Sequence, residues 1–260
     1  MGSATREALA GAVSALAALK GVDRTTGEQV LTAGRVVGDS LPLRSLLADP
    51  SVEVASKKVV VGRLFGGYTP AALTLIEALV SERWSSQDDL LAGFEEIGIR
   101  AIAITDTAID DELFAFARAV ASDAQLELAL GSKLGDPAGR VFLVTSLLGG
   151  KASPGTVSIV SHLVQQPRGR RIGRLLSSAA ETVADQSGDL IATVTSATVL
   201  TQTQLDRVAA SLTASYGRSL RINQELDSGL IGGLRIQIGD DVIDGSVSAR
   251  INALRLQLAG

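Results

Sequence analysis

The chain has 260 residues, 46% apolar and 20% charged, with a formal charge of −4 and a pI near 5.1. A chain of this length can bury more than one core, and its negative balance argues against general nucleic-acid binding, which needs surplus Lys and Arg to neutralise phosphate. With no cysteine and a single histidine, disulfide staples, thiolate nucleophiles and thiolate or multi-histidine metal sites are excluded, and nothing suggests an oxidising compartment.

The first twenty residues carry Arg6 and Glu7 within an Ala/Leu pattern in place of a basic start followed by an apolar block, so no signal peptide is expected. Leu9, Val13 and Leu16 share one face of a predicted helix. No segment reaches the roughly 18 consecutive apolar residues of a membrane span. The best candidate, between Arg63 and Glu77, is short and interrupted by Gly66, Gly67 and Pro70, so any membrane role is expected to be peripheral.

An internal repeat runs through the first three quarters. The stretch from Glu28 to Asp39 resembles that from Glu112 to Asp123, and Lys57 to Gly67 resembles Arg140 to Gly150. The glycine pairs lie 83 residues apart, and Thr69-Pro70 and Ser153-Pro154, with the apolar runs that follow, lie 84 apart. A shift of one residue at a loop is what a diverged duplication leaves. Ser or Thr before Pro is a helix entry in which the ring occupies the first turn without costing an amide bond. Short connections between amphipathic helices imply antiparallel packing, here with cores of Leu, Val, Ile and Ala, since 3% of residues are aromatic. Leu113, Phe116 and Val120 share a face in the second copy. Ala-rich helices pack closely and leave shallow grooves that a partner helix can fill.

The pattern changes near residue 189. Leu190 to Ala197 is β-branched and strand-like, Thr201 to Gln204 is a capping box before a helix burying Leu205, Val208 and Leu212, and Tyr216-Gly217 ends that helix. Leu220 and Ile222 alternate with polar residues as a second strand. Leu234, Ile236 and Ile238 alternate with Arg235 and Gln237 as a third. Gly239-Asp240-Asp241 reads as a tight turn from which Val242 and Ile243 pair back. Asp244, Gly245 and Ser246 then open a helix burying Val247, Ile251, Leu254 and Leu258. The fold expected is mainly α with a small α/β C-terminal part: antiparallel helical bundles over 1–105 and 106–188, then a small mixed-sheet α/β domain over 189–260.

The order Val194-Thr-Ser-Ala197, Val199-Leu200, a helix, Gly217, a strand, Asp227, Leu230-Ile-Gly-Gly233, Ile238-Gly-Asp240, Val242-Ile-Asp-Gly-Ser246 and Arg250 resembles the delta subunit of bacterial F-type ATP synthase, counterpart of the mitochondrial oligomycin-sensitivity-conferring protein. The likeness continues more loosely upstream through Leu46-Leu47, Asp49-Pro50, Lys57, Leu75-Ile76, Leu79, Glu82-Arg83 and Phe94. Two departures stand out: Ser228 lies where the family often has Pro after the Asp, and the second bundle is additional to the single helical domain of most members, as in the enlarged form of actinobacteria. The resemblance implies a non-catalytic stator subunit without cofactor or metal, on the cytoplasmic face of the plasma membrane as one copy per complex. Its partners would be the N-terminal helices of ATP synthase α subunits, held by the 1–105 bundle, and the C-terminal helices of b-type stalk subunits, held by the 189–260 domain. No nucleic acid is expected, and membrane association comes only through the complex. Head binding is expected along a groove near Ala8, Ala12, Leu75 and Leu79, which match the family's first and fifth helices. The alternatives are a generic helical scaffold for amphipathic helices of another complex, or a nucleotide-using enzyme built on the tail.

Signals of chemistry are sparse. Gly229-Leu-Ile-Gly-Gly233 precedes a strand and lacks the Lys-Ser/Thr of a phosphate loop, so it reads as a turn. Gly149-Gly-Lys151 fails likewise, since Ala152 replaces the hydroxyl residue. Asp240, Asp241 and Asp244 suit acidic turns and helix caps better than a cation site. His162 lacks a second ligand and reads as structural or exposed. Arg168, Arg170, Arg171 and Arg174 suit either a solvated helix start or contact with an acidic stalk helix or anionic lipid. Trp84, at a predicted helix end, reads as a packing residue before an interface anchor.

Overall fold

Helix-entry signals recur along the chain and are used as caps. Asp23 accepts from the Thr26 amide at 2.8 Å and starts α2 (Arg24–Asp39) with a capping box. Thr69 caps α5 (Pro70–Ser81), Ser86 caps α6 (Gln87–Ala103) and Ser153 caps α10 (Pro154–Gln165), each side chain taking an amide that the first turn leaves unpaired. The computed structural model describes residues 2–131, 136–239, 241–247, 249 and 251. Among these the remaining elements are α1 (Ser3–Ala18), α3 (Leu41–Ala48), α4 (Val54–Phe65), α7 (Ile109–Ser122), α8 (Ala124–Gly131), α9 (Pro137–Leu148), α11 (Ile172–Gln186), β1 (Leu190–Ser196), α12 (Gln202–Tyr216), β2 (Leu220–Leu226), β3 (Leu234–Ile238) and β4 (Asp241–Asp244). The protein is mainly α with a small mixed sheet. Among the described residues no helix is long and apolar enough to cross a membrane.

The chain divides into two compact units, residues 1–183 and 184–260. In the first, α2 crosses α6 at glycine. A Cβ at Gly27 would lie 2.5 Å from the Gly98 carbonyl oxygen, and one at Gly34 would lie 2.8 Å from the Phe94 Cβ. The bare backbones let the axes approach, and Phe94, Leu31, Leu90 and Ile97 fill the flanks with no exposed surface to speak of. Trp84 is buried and donates its indole N–H to the Leu79 carbonyl at 2.8 Å, as a packing residue would.

The two helical repeats share an unusual tie. Gln29 on α2 accepts from both the amide and the hydroxyl of Thr69 at 2.9 Å. Glu112 on α7 takes the amide and the hydroxyl of Ser153 in the same way, the latter at 2.8 Å. Gln29 is therefore the counterpart of Glu112, 83 residues apart, where the sequence alignment pairs Glu28 with it. At that offset the buried residues coincide: Val30 with Leu113, Leu31 with Phe114, Ala33 with Phe116 and Val37 with Val120. Both ties lie inside the 1–183 unit.

In the second unit the sheet order is β2-β1-β3-β4, with β1 and β2 parallel and the other pairs antiparallel. Ala192, Leu220 and Ile238 pack with Leu212 of α12. Gly217 ends α12 in the left-handed region at φ 66°, a C-cap that needs no Cβ. Gly239 turns β3 into β4 with φ 57°. The helix expected after Ser246 begins at Val247, but Val247 and Ile251, expected to be buried by it, are exposed; Asp240, Arg250, Leu254 and Leu258 fall outside the described residues.

Candidate functional site

α1 lies against α5 and α6. Thr5, buried on α1, donates to the Asp89 carboxylate at 3.0 Å and accepts from the Ser85 amide at 3.2 Å, fixing the start of α1 to the start of α6. Further along, the Glu82 carboxylate at the end of α5 lies over Gly11, in the space a Cβ there would take. The expected groove residues lie along this seam, and all four are buried: Ala8 and Leu75 are 1% exposed, Ala12 and Leu79 fully covered. They form the floor. What a neighbour could touch are half-buried small residues, Ala4 and Ala15 on α1 and Ala78 on α5, whose helical spacing sets them beside the floor positions. A cavity of about 300 Å³ opens at one end, lined by Ser3, Ala4, Glu7, Ala8, Glu82 and Arg83.

A second constellation joins the repeats and was not legible as one in the sequence. Glu95 on α6 receives both terminal nitrogens of Arg170, at 2.7 and 2.8 Å, and one from Arg168 at 2.8 Å. Burial pushes the Glu95 carboxyl up, but the hydrogen bonds from Arg170 and the charges of Arg168 and Arg170 outweigh it and hold the group below the ordinary carboxylate range. Arg168 sits at φ 47°, an uncommon backbone for a non-glycine residue, in the turn that delivers both guanidiniums. Two of the four arginines of the basic run are thus consumed inside the molecule; Arg171 and Arg174 remain exposed. Beside them His162 is buried on α10 with its Nδ1 unpartnered. Burial drives its pKa down to about 4, and Glu95 opposes this only in part while Arg35, Arg168 and Arg170 add to it. The histidine is neutral at physiological pH.

The other candidates are structural in position. Asp244 accepts from the Ser246 amide at 2.9 Å as a cap, and Asp241 accepts from the Tyr216 hydroxyl at 3.3 Å. Gly233 adopts φ 83° with its Cα face against the Gly245 carbonyl, as a tight turn requires. On the tail, Leu226, Ile231, Val242, Ile243, Val247 and Ile251 are exposed. Among the described residues no group of three or more His, Asp or Glu side chains is placed to hold a metal ion.

Comparison with known proteins adds the following. The sequence model of the family described as "ATP synthase delta (OSCP) subunit" matches residues 102–258. The "ATP synthase subunit delta" of Leifsonia xyli subsp. xyli is 52% identical over 264 residues, covering 100% of both chains. That of Kineococcus radiotolerans is 42% identical over 242 residues, covering 90% of this chain and 88% of its own. Among solved structures, a chain of the Toxoplasma gondii mitochondrial ATP synthase hexamer covers 58% of this chain and 85% of its own at 15% identity; its TM-score of 0.39 is too low to bear on the fold.

Proposed function

Because the chain belongs to the ATP synthase delta (OSCP) family, we propose that it is the stator subunit linking the catalytic head of a rotary F-type ATP synthase to the b-subunit stalk, so that the head resists rotor torque during proton-driven ATP synthesis. The observation that carries this is similarity running from end to end, both helical repeats included, to a relative named as that subunit. The role is mechanical and non-catalytic, one copy per complex, on the cytoplasmic face of the membrane. The 1–105 bundle receives the N-terminal helices of α subunits along the α1–α5 seam, over the floor of Ala8, Ala12, Leu75 and Leu79. A seam lined by small side chains supports this, because an amphipathic helix can lay an apolar face into it. The 189–260 domain receives C-terminal helices of the b-type stalk, and exposed Val242, Ile243, Val247 and Ile251 supply apolar surface for such a partner.

A second reading has its own observation. The family match begins at residue 102, over the second repeat and the tail, which favours the second repeat as the head-binding one. Calorimetric titration of the full chain with the α-subunit N-terminal peptide of the same organism separates the two. Ala78→Trp, at the rim of the α1–α5 seam, is expected to weaken binding at least about tenfold if the first repeat receives the helix. Unchanged affinity would move the site away from that seam, and absence of binding to both the α and the b helices would sink the stator reading.

A further inference from the structure

The second repeat, α7 to α11, follows α2 to α6 in order and has no helix of its own in the place of α1. In the first repeat α1 rests on α5, and the Glu82 side chain lies over Gly11 in the space of its missing Cβ. The residue 84 positions after Glu82 is Gln166, at the end of α10. A Cβ on Gly38 of α2 would lie 3.1 Å from its side-chain nitrogen, so α2 passes α10 where α1 passes α5. The rest of the seam agrees. Ser158 donates to Glu28, and Gln166 donates to Asp39 at 3.2 Å and to the Arg35 carbonyl at 3.4 Å. At the other end Gly155 packs under α6, where an added Cβ would meet Ile102 at 3.1 Å. Glu28, Arg35 and Asp39, at spacings of seven and four, form one stripe of α2; Val30, Ala33 and Val37 face the first repeat's core on another.

We infer that α2 serves both repeats, as a core helix of the first and as the stand-in first helix of the second, and that the α2–α10 seam is closed, so that of these two equivalent seams of the helical repeats the α1–α5 seam is the one open to an amphipathic helix. The chemistry of the seams separates them. The α1–α5 floor is alanine and leucine, which an incoming apolar face can cover without breaking anything. A helix entering between α2 and α10 would break the Ser158 and Gln166 hydrogen bonds and pull apart the faces beside the half-buried Glu95, disrupting its ion pairs with Arg168 and Arg170. This rests on the head-binding reading only for the identity of the helix.

The absence of cysteine allows a clean test on the full chain. Glu28→Cys with Ser158→Cys is cross-linked by a short bis-maleimide, and the α-subunit N-terminal peptide is titrated before and after. The expected result is efficient intramolecular cross-linking and one peptide per chain, with a Kd that cross-linking changes by less than about twofold. Two peptides per wild-type chain, loss of binding on cross-linking, or failure of the pair to cross-link in the folded chain each overturns the inference. A chain that cross-links but binds no peptide refutes head binding while leaving the closed α2–α10 seam supported.

Discussion

His162 makes the stability of the helical unit depend on pH. Its folded pKa of about 4 lies below the usual 6.5 because the ring is buried beside Arg35, Arg168 and Arg170, with Glu95 compensating in part. A depressed folded pKa means that the unfolded chain takes up the proton first. Stability is therefore complete above pH 6.5 and is lost progressively as pH falls toward 4. The separation of about 2.5 units sets a ceiling of about 3 kcal/mol, and at pH 5.5, one unit below the unfolded value, the loss is about 1.4 kcal/mol. The assay is urea unfolding followed by the fluorescence of Trp84, the chain's single tryptophan, which lies buried in the 1–183 unit with His162. The comparison is His162→Leu, a swap of similar volume that also removes the unpartnered Nδ1, expected to lie within about 1.5 kcal/mol of wild type at pH 7.5. Carboxyls that titrate in both proteins, such as Glu181 with its burial-raised pKa, cancel in the difference. The variant should gain about 1.4 kcal/mol on wild type between pH 7.5 and 5.5; parallel curves would refute the burial of a neutral imidazole.

Other perturbations reach separate parts of the structure. Glu95→Leu leaves Arg168 and Arg170 without their acceptor, and since both guanidiniums keep some solvent the loss should be about 2 kcal/mol by the same fluorescence assay. Gly27→Ala drives a methyl into the Gly98 carbonyl and Ile102, and should cost about 2 kcal/mol or more, far beyond the roughly 1 kcal/mol that helix propensity would return. Gly217→Ala places a Cβ on the left-handed C-cap of α12 and should lower the stability of the tail by about 1 kcal/mol, seen by circular dichroism, with Trp84 fluorescence unmoved.

What could be read from the sequence was short-range. Thr69-Pro70 and Ser153-Pro154 announce helix starts because cap and ring act within one turn, and Thr201 with Gln204 closes its capping box over three residues. The β3–β4 pairing was legible because two-residue alternation and a glycine turn are local. The register of the repeat was missed by one residue, since Glu28 and Gln29 are equally hydrophilic in sequence and only the bond from Gln29 to Thr69, forty residues away, tells them apart. Glu95 and Arg170 are seventy-five residues apart and joined solely by the fold. Glycines 27, 34 and 98 look like helix weakeners until a neighbouring backbone is seen against them. For Ala8, Ala12, Leu75 and Leu79, the family resemblance pointed to the two helices that meet but could not separate floor from rim, because both project from one stripe.

The sharing of α2 bears on how load would pass through the chain. A hinge between the repeats would have to part α2 from α10, break the Ser158 and Gln166 hydrogen bonds, and uncover Glu95 together with two guanidiniums. Opening this ion cluster, which keeps some solvent in the fold, costs no more than about 2 kcal/mol, and the apolar packing of Gly155 against Ile109 and Ile102 is lost with it. Local opening of α10 should therefore be as rare as unfolding of the whole 1–183 unit. Native-state hydrogen exchange tests this directly: the slowest amides of α10 should share one opening free energy with those of α2 and α6 and fall with them under urea. If α10 instead exchanges at a markedly lower free energy than α2, the second repeat opens by itself, and the two repeats do not behave as one cooperative body.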